Sequence, residues 1–201
     1  MPHIIAHRIN QISELKLLNR DYGLEIDLRD KGDQLLLEHD PFVLDNVDNF
    51  VEFIKFYEHG TLILNIKSER IEERILEMLR EYGIEDYFFL DSSFPMIKRL
   101  IDLGERKVAL RFSEYEGLET IRNMSGKVDW VWVDCFTKLP INQDNYRLLK
   151  DLGYKLCLVS PDLQGRPDDI AAYRAYLSEN NIIFDAVCVK QPNINAWGDY
   201  L

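Results

Sequence analysis

Two histidines and a carboxylate pair stand where apolar, strand-like runs emerge from a core. The first run, Ile4-Ile5-Ala6, leads into His7-Arg8. The second, Gly23-Leu24-Glu25-Ile26-Asp27-Leu28-Arg29, is followed by Glu38-His39-Asp40. Glu25 and Asp27 are two apart, so on a strand both point to one face. Like charges on an inward face repel and lose hydration, and they are stable there only with protons, cations or a metal. A hard divalent cation, Mg2+ or Ca2+, suits such oxygen ligands. Leu24, Ile26 and Leu28 take the opposite face, which argues against a Glu-x-Asp on an exposed edge. His7 and His39 can each accept or donate a proton at about pH 7. Flanking a phosphodiester, one would deprotonate the nucleophile and the other would protonate the leaving alkoxide. Arg8 and Lys67 add a planar fork and a point charge for phosphate oxygens, and either would also neutralise Glu25 and Asp27 directly. Arg111 and Lys190 are further cations for the same pocket. His3 and His59 read as structural.

These residues need a scaffold that brings strand ends together. Strand candidates fall at 3–8, 23–29, 61–67, 86–91, 107–112, 129–135, 155–160 and 185–190. They are near-continuous apolar runs, as in a parallel sheet buried on both faces. An extra run at 34–38 follows Asp30-Lys31-Gly32-Asp33, a turn signal that makes a hairpin with the second strand. Between the strands lie amphipathic patterns. Residues 69–82 place Ile71, Ile75, Met78 and Leu79 on one face and stop at Gly83. Residues 95–103 stop at Gly104 and 143–152 at Gly153, and 167–180 open on Pro167-Asp168-Asp169. Weaker patterns fit 11–20, 47–58 and 116–124.

Eight strands, each but the last followed by a helix, predict an α/β fold: a compact (β/α)8 TIM barrel with a small hairpin after the second strand. An open doubly wound sheet competes, but usually has fewer strands. Barrel sites sit at the C-terminal strand ends. That rule selects His7/Arg8, Glu25/Asp27, Asn65/Lys67, Asp91/Ser92, Arg111/Ser113, Asp134, Ser160 and Lys190.

The 201 residues are 46% hydrophobic and 29% charged, with no linker-like stretch, so one domain over 1–201 is expected. A net charge of −11 argues against broad binding to nucleic acid or anionic membrane, which needs basic surface. Cys135, Cys157 and Cys188 lie far apart in apolar runs, as reduced core thiols do. No secretory leader or membrane-length apolar run is present, and the expectation is a cytoplasmic protein. Trp130 and Trp132 share a face with Asp134 and read as core. Trp197 follows the last strand, as a cap on the barrel or a wall for the substrate.

His-Arg, then Glu-x-Asp, then His-Asp about a dozen residues on resembles the glycerophosphodiester phosphodiesterase family of the phospholipase C-like phosphodiesterase barrels. His7-Arg8, Glu25-x-Asp27, His39-Asp40 and Lys67 carry the resemblance, which spans residues 4–67. It implies that His7 and His39 are the acid/base pair and that Glu25 and Asp27 hold the metal. Arg8 and Lys67 would contact phosphate or the metal site. The chain departs from the family in several places. Ile9 stands where Gly usually follows His-Arg, and the Pro-Glu-Asn-Thr segment is missing. Asn65 replaces a further metal carboxylate; its carbonyl can ligate, with one negative charge fewer. No subdomain follows His-Asp, and the last strand ends in Val189-Lys190-Gln191-Pro192 where Thr-Asp is usual. The expectation is a phosphodiesterase with one divalent cation, cleaving a small phosphodiester, by resemblance a glycerophosphodiester. Direct hydrolysis and attack by a neighbouring substrate hydroxyl both remain open. The alternative is a non-catalytic barrel that binds a phosphorylated ligand.

Overall fold

The computed structural model describes residues 2–42 and 46–200. Strand β1 (His3–Ala6) and helix α1 (Ile12–Leu15) precede β2 (Gly23–Lys31), which turns back into β3 (Gln34–Leu37). Helix α2 (Phe50–Ile54), β4 (Leu62–Ile66), α3 (Glu72–Glu81), β5 (Tyr87–Leu90) and α4 (Phe94–Asp102) follow. The alternation continues through β6 (Ala109–Phe112), α5 (Leu118–Asn123), β7 (Trp130–Val133) and α6 (Gln143–Asp151). It ends with β8 (Lys155–Val159), α7 (Ile170–Glu179), β9 (Ala186–Val189) and a 3-10 segment, Gln191–Tyr200. Eight parallel strands with helices between them are those of a (β/α)8 TIM barrel, the fold class expected from the sequence.

Two compact units make up the chain. Residues 8–105 form one. There β2 pairs in parallel with β4, β4 pairs in parallel with β5, and β3 runs antiparallel on β2 with Leu28 opposite Leu37. Leu24, Ile26 and Leu28 on β2 and Leu62, Ile63 and Leu64 on β4 are fully buried. Residues up to His7 and from Arg106 onward form the other unit. Its parallel pairs are β1 with β9, β9 with β8, β8 with β7 and β7 with β6. Cys135, Cys157 and Cys188 are buried and in no disulfide, and Trp130 and Trp132 are buried, as expected of core residues. Among the described residues no helix is long and apolar enough to cross a membrane.

The helix stops read from glycine hold in atomic detail. Past α3, Gly83 has φ +67 and donates to the Arg80 carbonyl, while Ile84 donates to the Leu79 carbonyl. Gly104 (φ +84) and Glu105 close α4 in the same way on Ile101 and Leu100. This is the left-handed C-cap that satisfies the last helix carbonyls. Asn181 (φ +53) closes α7 likewise, with no glycine to announce it.

Helix starts depart from expectation by a few residues. Asn49 caps α2 with its Oδ1 on the Val51 N–H at 2.8 Å, so the 47–58 pattern becomes helical only at Phe50. The helix expected to open at Pro167 first makes a 3-10 turn, Pro167–Asp169, and becomes α-helical at Ile170.

Candidate active site

Strand alternation builds the floor of the site in the 8–105 unit. Glu25 and Asp27 share one face of β2, and each is 1% exposed. The parallel register sets Asn65 of β4 beside Asp27. From there the Asn65 amide donates Nδ2–H to Glu25 Oε1 at 2.8 Å.

The segment after β1 reaches the same carboxylates from the other side. Arg8 holds a left-handed backbone, φ 56, which costs a non-glycine residue about 1–2 kcal/mol. That turn aims the Arg8 N–H at Glu25 Oε2, 2.8 Å away. It also lets Ile9 donate to the Glu25 carbonyl at 2.8 Å. Asn10 then locks Asp27 twice. Its Nδ2 donates to Asp27 Oδ2 and its Oδ1 accepts from the Asp27 N–H, both at 2.9 Å.

Two cations face this pair. Arg8 Nε lies 3.5 Å from Asp27 Oδ2. Lys67 Nζ lies 3.7 Å from Asp27 Oδ1 and 3.4 Å from Asp91 Oδ2. Asp91 follows β5 with φ 60, a second left-handed residue at a strand end. Both carboxyls are nonetheless pushed up. Burial raises Glu25, against lowering by Asn65 and the Arg8 N–H. Burial first, then the Glu25 charge, raises Asp27 to about 6. Desolvation thus outweighs the nearby cations, and the site holds negative charge at a cost.

His39 sits just past the hairpin. Its side chain is 38% exposed, and its Nδ1 lies 2.7 Å from Asp40 Oδ1. The Glu38 N–H donates to the Asp27 carbonyl at 3.1 Å, so the strand carrying the carboxylates also anchors the His39 segment. Arg29, on the same β2 face as Glu25 and Asp27, donates Nε and Nη2 to the His39 carbonyl at 3.1 and 2.6 Å. Its Nη1 donates to the Lys67 carbonyl at 3.0 Å. Sequence reasoning passed over Arg29 and Asn10. The period-2 face Glu25-x-Asp27-x-Arg29 was the available signal for the first. Nothing local pointed to the second, because its reach depends on the turn at Arg8.

The donor set offers oxygens of the kind a hard cation takes. Asp27 Oδ1 and Asn65 Oδ1 are buried and find no hydrogen-bond donor among the described residues. They belong to register neighbours, and both are oxygens of the kind Mg2+ or Ca2+ prefers. Among the described residues, however, no three His, Cys, Asp or Glu side chains gather as a metal cluster. Asn65 is the reason on β4.

The remaining candidates lie in the other unit. His7, half-buried, donates its N–H to the Val189 carbonyl at 2.9 Å. Arg111 is held by Asp134 (Nη2 to Oδ2, 2.5 Å) and Glu116 (Nε to Oε1, 3.1 Å). The exposed Lys190 uses its N–H on Asp162 Oδ2 at 3.2 Å. Trp197 was expected as a cap on the barrel or a wall for the substrate. It is 0% exposed, and its Nε1–H donates to Ser160 Oγ at 3.0 Å, so its ring is core.

The chain resembles known proteins in fold rather than in sequence. No family model matches it, and no curated protein matches its sequence. Two solved structures from Agrobacterium tumefaciens match over nearly the whole of both chains. One, assigned as a glycerophosphoryl diester phosphodiesterase, has a TM-score of 0.72 at 11% identity and covers 100% of this chain and 98% of its own. The other, a glycerophosphodiester phosphodiesterase, has a TM-score of 0.66 at 15% identity and covers 96% of this chain and 98% of its own. At such identity the likeness establishes a shared fold.

Proposed function

We propose that this chain is a phosphodiesterase acting on a small phosphodiester of the glycerophosphodiester kind. The observation that carries the reading is the buried Glu25/Asp27 pair facing Arg8 and Lys67, with the backbone of the His39 segment tied to β2 through Glu38 and Arg29. The fold shared with two glycerophosphodiester phosphodiesterases supports it. Asp27 and Asn65, with Glu25, would hold one divalent ion, Mg2+ or Ca2+. When bound, such an ion neutralises phosphate charge and polarises a phosphoryl oxygen.

The chain's own residues supply the rest. Arg8, its side chain 45% exposed, presents a guanidinium fork to the non-bridging oxygens. Lys67 Nζ adds a point charge. As charge grows on the phosphoryl oxygens in the transition state, both cations gain more than they do with the ground-state diester. Asp40 Oδ1 engages His39 Nδ1, which leaves Nε2 to move the proton. The sequence supplies a second imidazole, His7, the residue before Arg8, for the complementary role. Buried free thiols fit a reducing compartment such as the cytoplasm.

A non-catalytic barrel binding a phosphorylated ligand is the second reading. It is favoured by Asp27 pairing with Arg8 and Lys67, and by Asn65 where a carboxylate would strengthen a metal site. Turnover separates the two. The purified protein is expected to cleave at least one member of a glycerophosphodiester panel in Mg2+ or Ca2+. His39→Ala is expected to lower the rate about 10²–10⁴-fold, and Asp27→Ala to remove it. No turnover with any divalent ion would leave the binding reading, and turnover unchanged from the parent in both variants would overturn the catalytic roles given to His39 and Asp27.

A further inference from the structure

The geometry points to Arg29 as a positioning residue: one guanidinium fixes the backbones of His39 and Lys67 at once. What those two side chains do rests on the phosphodiesterase reading. How they are held rests on the hydrogen bonds alone.

Both acceptors lie just beyond a strand end. Leu37 closes β3 and Ile66 closes β4. The Glu38 N–H to the Asp27 carbonyl (3.1 Å) and the Lys67 N–H to the Leu28 carbonyl (2.9 Å) tie each segment to β2 at that point. The His39 and Lys67 carbonyls are then taken up by Arg29: Nε and Nη2 on the first at 3.1 and 2.6 Å, Nη1 on the second at 3.0 Å. A buried or half-buried carbonyl without a donor is costly, so a segment whose carbonyl is satisfied by a fixed donor has one preferred position.

The residue type matters. A guanidinium is planar and its N–H vectors are fixed relative to one another, so two acceptors on it keep a set separation. An ammonium can satisfy one carbonyl but imposes no angle between two. Arg29 is itself anchored by lying on β2, two residues past Asp27. The strand that presents the carboxylates therefore also sets where the imidazole and the ammonium segments stand. Hydrogen bonds to carbonyls are directional, and a plain ion pair is less so.

The test compares Arg29→Met and Arg29→Lys with Leu79→Ala, which disturbs a buried side chain of α3 that makes none of these hydrogen bonds. Melting temperature, the NMR shifts of the His39 imidazole, kcat and KM are measured for each. Arg29→Met is expected to move the His39 signals and lower kcat about 10–100-fold with little change in KM. Arg29→Lys should recover only part of this. Leu79→Ala should lower the melting temperature and leave the His39 signals and kcat in place. Unmoved His39 signals in Arg29→Met overturn the inference. Should Arg29→Met not fold, Arg29→Lys carries the same comparison. If the parent cleaves no phosphodiester, the functional reading fails, and the imidazole signals still decide on Arg29 because they need no turnover.

Discussion

Glu25→Gln is expected to melt above the parent in chelator at about pH 8, and to lose about 10²-fold in turnover with metal present. Glu25 is 1% exposed, and burial raises its carboxyl above the ordinary 4.5. A raised carboxyl favours the folded state while it is protonated. That contribution is full below the unfolded value and is lost as pH rises through the folded one. Asp27, raised from 3.8 to about 6, behaves the same way. The parent should therefore lose stability between about pH 4 and pH 7, and Glu25→Gln should lose less. Gln also fits sterically. Its Oε1 can accept the Arg8 N–H, and its Nε2 can donate to Asn65 Oδ1 once the Asn65 amide, whose Nδ2 now donates to Glu25, turns over. A gain of about 1 kcal/mol corresponds to about 2–4 °C for a chain of this size. Calorimetry at about pH 5 and pH 8 measures it. Equal melting at both values would mean that the buried charge costs nothing. The turnover loss has the opposite origin, since the same charge would bind the cation and face the phosphate.

Trp197→Ala is expected to cost about 3–5 kcal/mol, close to 10 °C in melting temperature. The indole is fully buried in the C-terminal 3-10 segment, in an edge contact with Tyr200 at a centroid distance of 5.6 Å. Its Nε1–H is satisfied by Ser160 Oγ, and removing the ring leaves both a void and an unpaired hydroxyl. Trp197→Phe should retain most of the stability, losing about 1 kcal/mol for the missing donor. A wall residue would behave differently, raising KM while the melting temperature stayed fixed. That outcome, seen by calorimetry and substrate titration together, would return Trp197 to the substrate.

The legible parts of this molecule were those governed by local period and by single residue types. Alternation on β2 placed Glu25 and Asp27 together, and the apolar runs gave the eight parallel strands. Gly83, Gly104 and Gly153 marked helix ends because few other residues take the left-handed cap. The turn at 30–33 marked β3. What escaped depended on residues far apart in sequence. Asn10 meets Asp27 only because Arg8 turns through positive φ. Arg29 finds its acceptors on two other segments. Trp197 follows the last strand, where sequence alone left it a cap or a substrate wall; it is buried, with its Nε1–H on Ser160, 37 residues earlier. Arg111, read as a phosphate cation, is occupied by Asp134 and Glu116, a pairing invisible to period or composition.

The hairpin has an evolutionary consequence. Strand β3 hydrogen-bonds as a ladder only to the end of β2, from Leu28 to Lys31, and takes nothing from the pairing of β2 with β4. The segment bearing His39 is thus an accessory grafted onto a barrel strand. Its length and the chain that follows it can drift without disturbing the parallel scaffold or the carboxylates upstream. A lineage built this way can vary its hairpin while inheriting its anionic centre intact.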